Sequence, residues 1–152
     1  MTEDLPPTGE DIVQAPPRPA MEPFRGQGPA TLVVALGGAI GALARWAVGL
    51  GLPTLPGAFP LGTFLINVAG CAAIGVVLVA LTELRQAHPL WRPFLATGIL
   101  GGFTTFSTFS VDSQHLLLGG HLALGLLYLA GTLGAAVAAT WFGAAVTRRL
   151  GR

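Results

Sequence analysis

Between Thr31 and Leu81 the chain carries one formal charge, Arg45, and this depletion of charge is what most constrains its fold. Charged residues make up 10% of the 152 residues, against about 25% in soluble domains. Residues 31–150 are long enough for four helical crossings of about 20 residues each, joined by short turns. We therefore expect an all-α membrane protein in which no room is left for a separate soluble domain.

Four apolar segments are predicted to cross the membrane as antiparallel neighbours, because the connections between them are short. A transmembrane strand would need alternating hydrophobicity over about ten residues, and these runs do not alternate. Residues 1–30 are rich in proline and poor in aliphatic runs, so a disordered N-terminal tail is expected there. The predicted crossings are approximately 31–50, 61–81, 94–117 and 122–146, within one transmembrane domain of residues 31–150.

Composition also excludes several classes of function. A net charge of +1 gives no basic face for a nucleic-acid partner. No nucleophile–base pair or phosphate-binding glycine loop is visible in the sequence, so we expect that the chain is not an enzyme. The prediction is a multi-pass protein of the cell inner (plasma) membrane, with membrane lipid as its surroundings.

The run from Gly101 to Ser110 interrupts the third apolar segment with glycine, hydroxyl and phenylalanine residues only. Each of its two glycines costs a helix about 1 kcal/mol relative to alanine. Unwound backbone at membrane depth is tolerated only where protein or a water-filled cavity satisfies it, and freed carbonyls there can hold a small cation. We expect a broken third helix with an ion site, or a seam of small residues for helix packing.

Two further features could carry chemistry, and each has more than one interpretation. Phe103, Phe106 and Phe109 recur at a spacing of three, so their positive ring edges could contact an anion, or the rings could simply face lipid or the protein core. Asn67 lies in the middle of the second crossing. Its amide must bond to another helix or to a permeating species, since an unpaired amide in hydrocarbon costs several kcal/mol.

Polar residues also mark the fourth crossing and the helix ends. Tyr128, Thr132 and Thr140 fall on one helical stripe with Ala136 between them, which indicates a hydroxyl track or hydroxyls that bond back to their own helix. Asp112 follows the interrupted run and is expected to cap a helix or pair with a basic group. Arg45 fits either a snorkelling residue at the interface or a buried charge.

Taken in order, these segments closely resemble the Fluc family, the fluoride-exporting channels of bacteria, over residues 31–147. The family fold is a four-helix subunit with a broken third helix, packed as an antiparallel, dual-topology dimer with two pores. The segments that carry the resemblance are 38–42 leading to Arg45, 62–67 with Gly70, and the run 101–109.

The resemblance implies a fluoride-specific channel that exports cytoplasmic fluoride by passive conduction. It implies one central structural sodium ion, which is not transported and is held at the two-fold axis by the backbone carbonyls of Gly101 and Thr104. Ala136 departs from the family pattern, where a serine is familiar. The residues that the resemblance assigns to the fluoride path are Asn67, Phe106, Phe109, Thr105, Ser107, Tyr128 and Thr132.

Several alternatives accompany this prediction. Seven arginines fall on the side of the N-terminus and only Arg45 on the other, so the positive-inside rule predicts one fixed orientation. The partner is therefore an antiparallel homodimer mate or an oppositely oriented paralogous subunit. The main rival function is a small four-helix drug/proton antiporter, which needs a membrane-buried carboxylate; the first two crossings offer none, and Asp112 lies close to a helix end. A second rival is a passive membrane scaffold, which would explain the packing glycines but not the hydroxyl and phenylalanine run.

Overall fold

The computed structural model describes residues 27–84 and 88–151, without the side chain of Leu84. The predicted disordered tail of residues 1–30 lies outside the described residues up to residue 26, and its last three residues belong to the first helix. All regular structure in the described ranges is helical, and four spans are long and apolar enough to cross a membrane. This confirms the all-α prediction with four membrane-spanning helices.

The four spans lie within a few residues of their predicted positions. Proline lies in the first turn of both the first and the third span. Its lack of a backbone N–H costs nothing there, because N–H groups of the first turn have no acceptor within the helix. The helices are α1 (Gly28–Gly51), α2 (Leu61–Val79) with a π-helical extension π1 (Ala80–Leu84), the third span made of π2 (Pro93–Leu100), α3 (Gly101–Phe103) and α4 (Phe106–Leu118), and α5 (Leu122–Leu150).

Two threonines separate α3 from α4. Thr104 has φ −73° and ψ 157°, and Thr105 has φ −144° and ψ 123°, so both are extended rather than helical. Gly101 itself remains helical, with φ −65° and ψ −35°. The backbone therefore leaves the helix three residues after the first glycine. Thr105 starts the next helix as its N-cap, since its hydroxyl accepts a hydrogen bond from the Thr108 N–H at 3.1 Å.

Glycines bring the spans close together in two pairs. A side-chain carbon at Gly37 of α1 would lie 2.6 Å from the Phe94 carbonyl oxygen and 3.0 Å from the Gly98 Cα, so α1 packs against π2 backbone to backbone. On the other side, α2 packs most extensively on α5, where Gly143 lies against the Ala72 carbonyl. Small residues allow this approach where lipid supplies no hydrophobic drive.

The spans alternate in direction, which gives the molecule two distinct faces. The proline-loop face consists of the connection at residues 52–60 and the turn at residues 119–121, with the adjoining helix ends. The arginine face lies at the opposite ends of the spans and carries the exposed Arg92, Arg148 and Arg149. Because the connections are short, the polar residues of each helix end are confined to one of these two faces.

Candidate functional site

Asn67 of α2 binds the backbone where the third span is interrupted. Its Nδ2 donates to the Thr105 carbonyl at 2.9 Å, and its Oδ1 accepts from the Thr105 N–H, also at 2.9 Å. The side-chain amide thus accepts the Thr105 N–H, which a continuous helix would bond to Gly101, and it also donates to the Thr105 carbonyl. Of the two predicted roles for Asn67, the bond to another helix is present in the structure. The amide nitrogen carries a second N–H beyond the one donated to Thr105.

We call this pair of hydrogen bonds the Asn67–Thr105 bracket. It changes the hydrogen bonding of the backbone before the break. In a continuous helix the Thr105 N–H would donate to the Gly101 carbonyl, but here it donates to Asn67. Thr104 still donates to Leu100 through its N–H at 3.0 Å and its hydroxyl at 2.9 Å. The Gly101 carbonyl has therefore lost its helical donor, and the chain turns into extended backbone at Thr104. Oxygen atoms released in this way are ligands of the type that a hard cation takes.

A cavity of about 360 Å³ lies beside this break. It brings α2, both halves of the third span and α5 together around a mainly apolar space. The side chains that line it carry amide, hydroxyl and thiol groups but no carboxylate and no cationic group. We call it the break cavity. Of the residues that the sequence indicated, it brings together Asn67, Gly101, Thr104, Thr105, Phe106, Phe109 and Thr132, and Ala136 also lines it.

Thr132 presents the most informative atom of the break cavity. Its side chain is 5% exposed, and its hydroxyl oxygen has no hydrogen-bond partner among the described residues. Burying a hydroxyl without a partner costs about 1–3 kcal/mol by mutational measures. A native orphan of this kind indicates a water, an ion or a functional role at that point. Thr140, by contrast, donates to the Ala136 carbonyl of its own helix at 3.0 Å. Of the two interpretations of the stripe, bonding back to the same helix therefore applies to Thr140.

The two phenylalanines of α4 lie in different surroundings. Phe106 is 79% exposed in the single chain, whereas Phe109 is half-buried. Their ring centroids are 6.0 Å apart with the planes tilted by 44°. Phe109 continues inward to the fully buried Tyr128, 5.2 Å away. The rings thus form a path from the exposed surface of α4 into the protein, and Tyr128 lies at its inner end rather than on the break cavity.

Hydroxyl groups cluster at the start of α4. The Thr105 hydroxyl donates to the Thr108 hydroxyl at 3.0 Å and lies 3.3 Å from that of Ser107. Ser107 is exposed and does not line the break cavity. Of the hydroxyls in the interrupted run, Thr105 is therefore the buried one that connects Asn67 to the surface group.

Sequence reasoning did not assign the cluster around Asp112. One carboxylate oxygen of Asp112 accepts from the Thr63 hydroxyl at 2.7 Å, and the Tyr128 hydroxyl lies 3.5 Å from the same oxygen, at the long limit for a hydrogen bond. The expected basic partner is replaced by these neutral donors. Thr63 precedes Asn67 by four residues, so it shares a helix face with it, and that spacing was the signal available in the sequence.

A second cavity, of about 370 Å³, opens towards the proline-loop face. Arg45 is half-buried on its wall, together with Thr63, Thr108 and Asp112. Thr105 lines this cavity as well as the break cavity. The Asn67–Thr105 bracket therefore stands between two spaces, one neutral and the other containing one cation and one carboxylate.

Comparisons with known proteins agree with this architecture. The family described as "CrcB-like protein, Camphor Resistance (CrcB)" matches residues 32–144. The chain is 53% identical over 132 residues to fluoride-specific ion channel FluC 1 of Streptomyces coelicolor, covering 87% of this chain and 86% of the relative. It is 54% identical to FluC 2 of Streptomyces avermitilis (80% and 76% covered) and 44% identical to FluC of Solibacter usitatus (78% and 98% covered).

The spans and these relatives together make the chain a multi-pass protein of the plasma membrane, as the sequence predicted. The relatives are named as channels and not as enzymes, which agrees with the prediction that no reaction is catalysed here.

Proposed function

The chain belongs to the CrcB-like protein family, and on that premise we propose that it is a fluoride-specific ion channel that exports fluoride by passive conduction. The observation that carries the proposal is the buried hydroxyl of Thr132, which has no hydrogen-bond partner among the described residues and lines the break cavity together with Asn67 and Thr105. It is a prepared donor without an acceptor, and a small anion would supply one.

The physical difficulty for such a pore is that fluoride is small and strongly hydrated, so its water must be replaced without trapping the ion. Conduction needs binding that is favourable enough to admit an ion and weak enough to release it. Hydroxyl groups, the remaining Asn67 N–H and the positive edges of phenyl rings meet both conditions, because none of them carries a full charge. A row of arginines along the same path would hold the anion too tightly.

We assign roles along this path by depth. Phe106 and Phe109 present ring edges between the exposed surface of α4 and the interior, and Thr132 and Asn67 donate at the break cavity. Thr105 and Ser107 connect the break to the surface hydroxyls. Tyr128 closes the inner end of the ring path near Asp112. Ala136 leaves one gap in the hydroxyl track on α5, which the cavity space beside it accommodates.

A structural sodium ion is the second part of the proposal. The donor set fits it, because the Gly101 carbonyl has lost its helical N–H and the backbone at Thr104 is extended, which leaves oxygen ligands at the interruption. When bound, the ion would supply a fixed positive charge that joins the interrupted spans of two subunits. Gly101 is exposed in the single chain, so a second subunit has access to this point.

The exposure of Gly101 also supports a partner subunit in the membrane. We propose an antiparallel dimer in which two interrupted spans meet, either as a homodimer or with an oppositely oriented paralogous subunit. The described Arg92, Arg148 and Arg149 share one face, and such a bias favours a single orientation. Tags at both termini, labelled in intact cells, separate the two cases. Labelling from one side only supports a paralogous partner, and equal labelling from both sides supports the homodimer.

The drug/proton antiporter is the weaker alternative. Proton exchange needs a carboxylate within the transport site, and none lines the break cavity. Asp112 is occupied by Thr63 and lies towards the proline-loop face. Passive conduction is the function that these neutral donors favour.

The decisive experiment is fluoride efflux from liposomes that contain the purified full chain, with chloride as the control ion. Wild type should release fluoride rapidly and chloride slowly. Phe106→Ile should leave the fold intact and reduce fluoride efflux at least about tenfold, because it removes a ring edge that acts as a weak donor. Phe142→Ile is the matched control, since Phe142 is similarly exposed, at 63%, but lies on α5 away from the break cavity.

Equal efflux of the two anions, or unchanged fluoride efflux in folded Phe106→Ile protein, would contradict the pore assignment. Repeating the wild-type assay in sodium-free potassium buffer tests the structural ion. Loss of efflux that returns on adding sodium supports it, and unchanged efflux after exhaustive removal opposes it.

A further inference from the structure

We infer that Phe59, in the connection between α1 and α2, is a positioning residue of the proposed pore that holds the Tyr128 ring in place. The inference rests on the proposed function for its consequence, but not for its geometry. Phe59 lies outside the interrupted run and outside the α5 hydroxyl stripe, so neither motif indicated it.

The backbone of Phe59 is fixed from both sides. It precedes Pro60, which restricts it to extended conformations, and Pro60 is fully buried at the start of α2. The Leu61 N–H donates to the Phe59 carbonyl at 2.8 Å. Two residues earlier, Gly57 turns the chain with φ +73°, and a side-chain carbon there would lie 2.6 Å from Nε2 of His121. The connection is therefore seated on the turn between α4 and α5.

The ring of Phe59 lies between two other rings in edge-on contact. Its centroid is 5.3 Å from that of Tyr128 at an interplanar angle of 88°, and 5.5 Å from that of Phe64 at 66°. On its other side Tyr128 contacts Phe109 at 5.2 Å. Tyr128 is thus held between Phe59 and Phe109, and Phe64 supports Phe59 from behind. These four aromatic rings link α2, the connection at residues 52–60, α5 and α4.

This restraint matters because the Tyr128 hydroxyl has little tolerance for movement. It lies 3.5 Å from the Asp112 carboxylate oxygen, at the long limit of a hydrogen bond, while Tyr128 is 0% exposed and has no bulk water to replace that contact. Without the Phe59 ring, Tyr128 can tilt into the vacated space, which breaks the contact with Asp112 and shifts the Phe109 ring that follows it towards the pore.

The chain contains one tyrosine, so this can be measured directly. Full-length protein made with 3-fluorotyrosine should give one protein ¹⁹F resonance, which reports the surroundings of Tyr128. Phe59→Leu should shift or broaden that resonance and reduce fluoride efflux about fivefold, the size expected for loss of one aromatic pair. Phe142→Leu, which removes an exposed ring at a distance, should change neither.

Two further variants make the result decisive. In a Tyr128→Leu background, Phe59→Leu should reduce efflux no further, because Phe59 acts through the ring and hydroxyl of Tyr128, both of which that background lacks; an additional fivefold loss would overturn the inference. If Phe59→Leu does not fold, Phe64→Leu should produce a smaller change of the resonance in the same direction. An unchanged resonance in whichever variant folds would also overturn it. A shifted resonance in a protein that does not conduct fluoride would instead contradict only the proposed function.

Discussion

Beyond residue 22 the sequence contains two acidic residues, Glu83 and Asp112, and the structure gives them opposite surroundings. Glu83, at the arginine face, forms a two-pronged ion pair with Arg148 at 2.7–2.8 Å, with the side chains 43% and 52% exposed. Asp112, towards the proline-loop face, is half-buried and accepts from the hydroxyl of Thr63, with that of Tyr128 close by. Each acid contacts a residue of another span, but only Glu83 does so by forming an ion pair with a cationic side chain.

The difference shows that the partners of each carboxylate in this protein depend on the face at which the carboxylate lies. An exposed ion pair stabilises a protein little, because water and salt screen it. The Glu83–Arg148 pair therefore links π1 to α5 at the arginine face and contributes little to stability. A half-buried carboxylate that accepts hydrogen bonds from neutral hydroxyls fixes the orientation of those donors. Asp112 therefore orients Thr63 and Tyr128 next to the cavity that contains Arg45.

The largest effect should follow from removing the buried acceptor. Asp112→Ala leaves the Thr63 hydroxyl without its partner and should destabilise the protein by about 2 kcal/mol, the range for hydrogen bonds to a charged group. Asp112→Asn retains a carbonyl acceptor and should lose about half as much. Thermal unfolding in detergent measures both. If alanine proved as stable as asparagine, the carboxylate cluster would not be the organising feature of the proline-loop face.

A much smaller effect is expected at the other face. Glu83→Gln removes the charge from the exposed pair with Arg148 and keeps the shape of the side chain, so the unfolding midpoint should not change measurably. Fluoride efflux should also equal that of wild type, since the pair lies far along α5 from Thr132. A destabilisation as large as that of Asp112→Ala would abolish the proposed distinction between the two acids.

The sequence predicted the positions of the spans more completely than the arrangement of the candidate site. Each span could be located because apolar length alone forces a helix where lipid cannot satisfy the backbone. The position of the interruption could be placed only within the run 101–110, because glycine and threonine both weaken a helix. Its exact residues depend on Asn67, an amide on another span, which takes the Thr105 N–H that would otherwise continue the helix.

The residues brought together from distant parts of the chain show the same limit. Phe59 lies in no motif, and Thr63 lies in the 62–67 segment without an assigned role. Their roles arise from contacts with Tyr128 and Asp112, which follow about 70 and 50 residues later. Arg45 and Thr140 each allowed two interpretations. The structure places Arg45 on a cavity wall, and it bonds Thr140 back to its own helix.

The sequence by itself determined that this chain crosses the membrane four times as helices, which residues lie at membrane depth, and which family pattern they follow. It could do so because burial in lipid acts on local composition, residue by residue. Only the tertiary structure decided that Thr104 and Thr105 are extended. Only it decided that, within residues 27–84 and 88–151, the Thr132 hydroxyl has no partner and Asp112 is held by hydroxyls rather than by a cation. Those outcomes depend on which donors and acceptors meet between spans, and helix packing sets that in three dimensions.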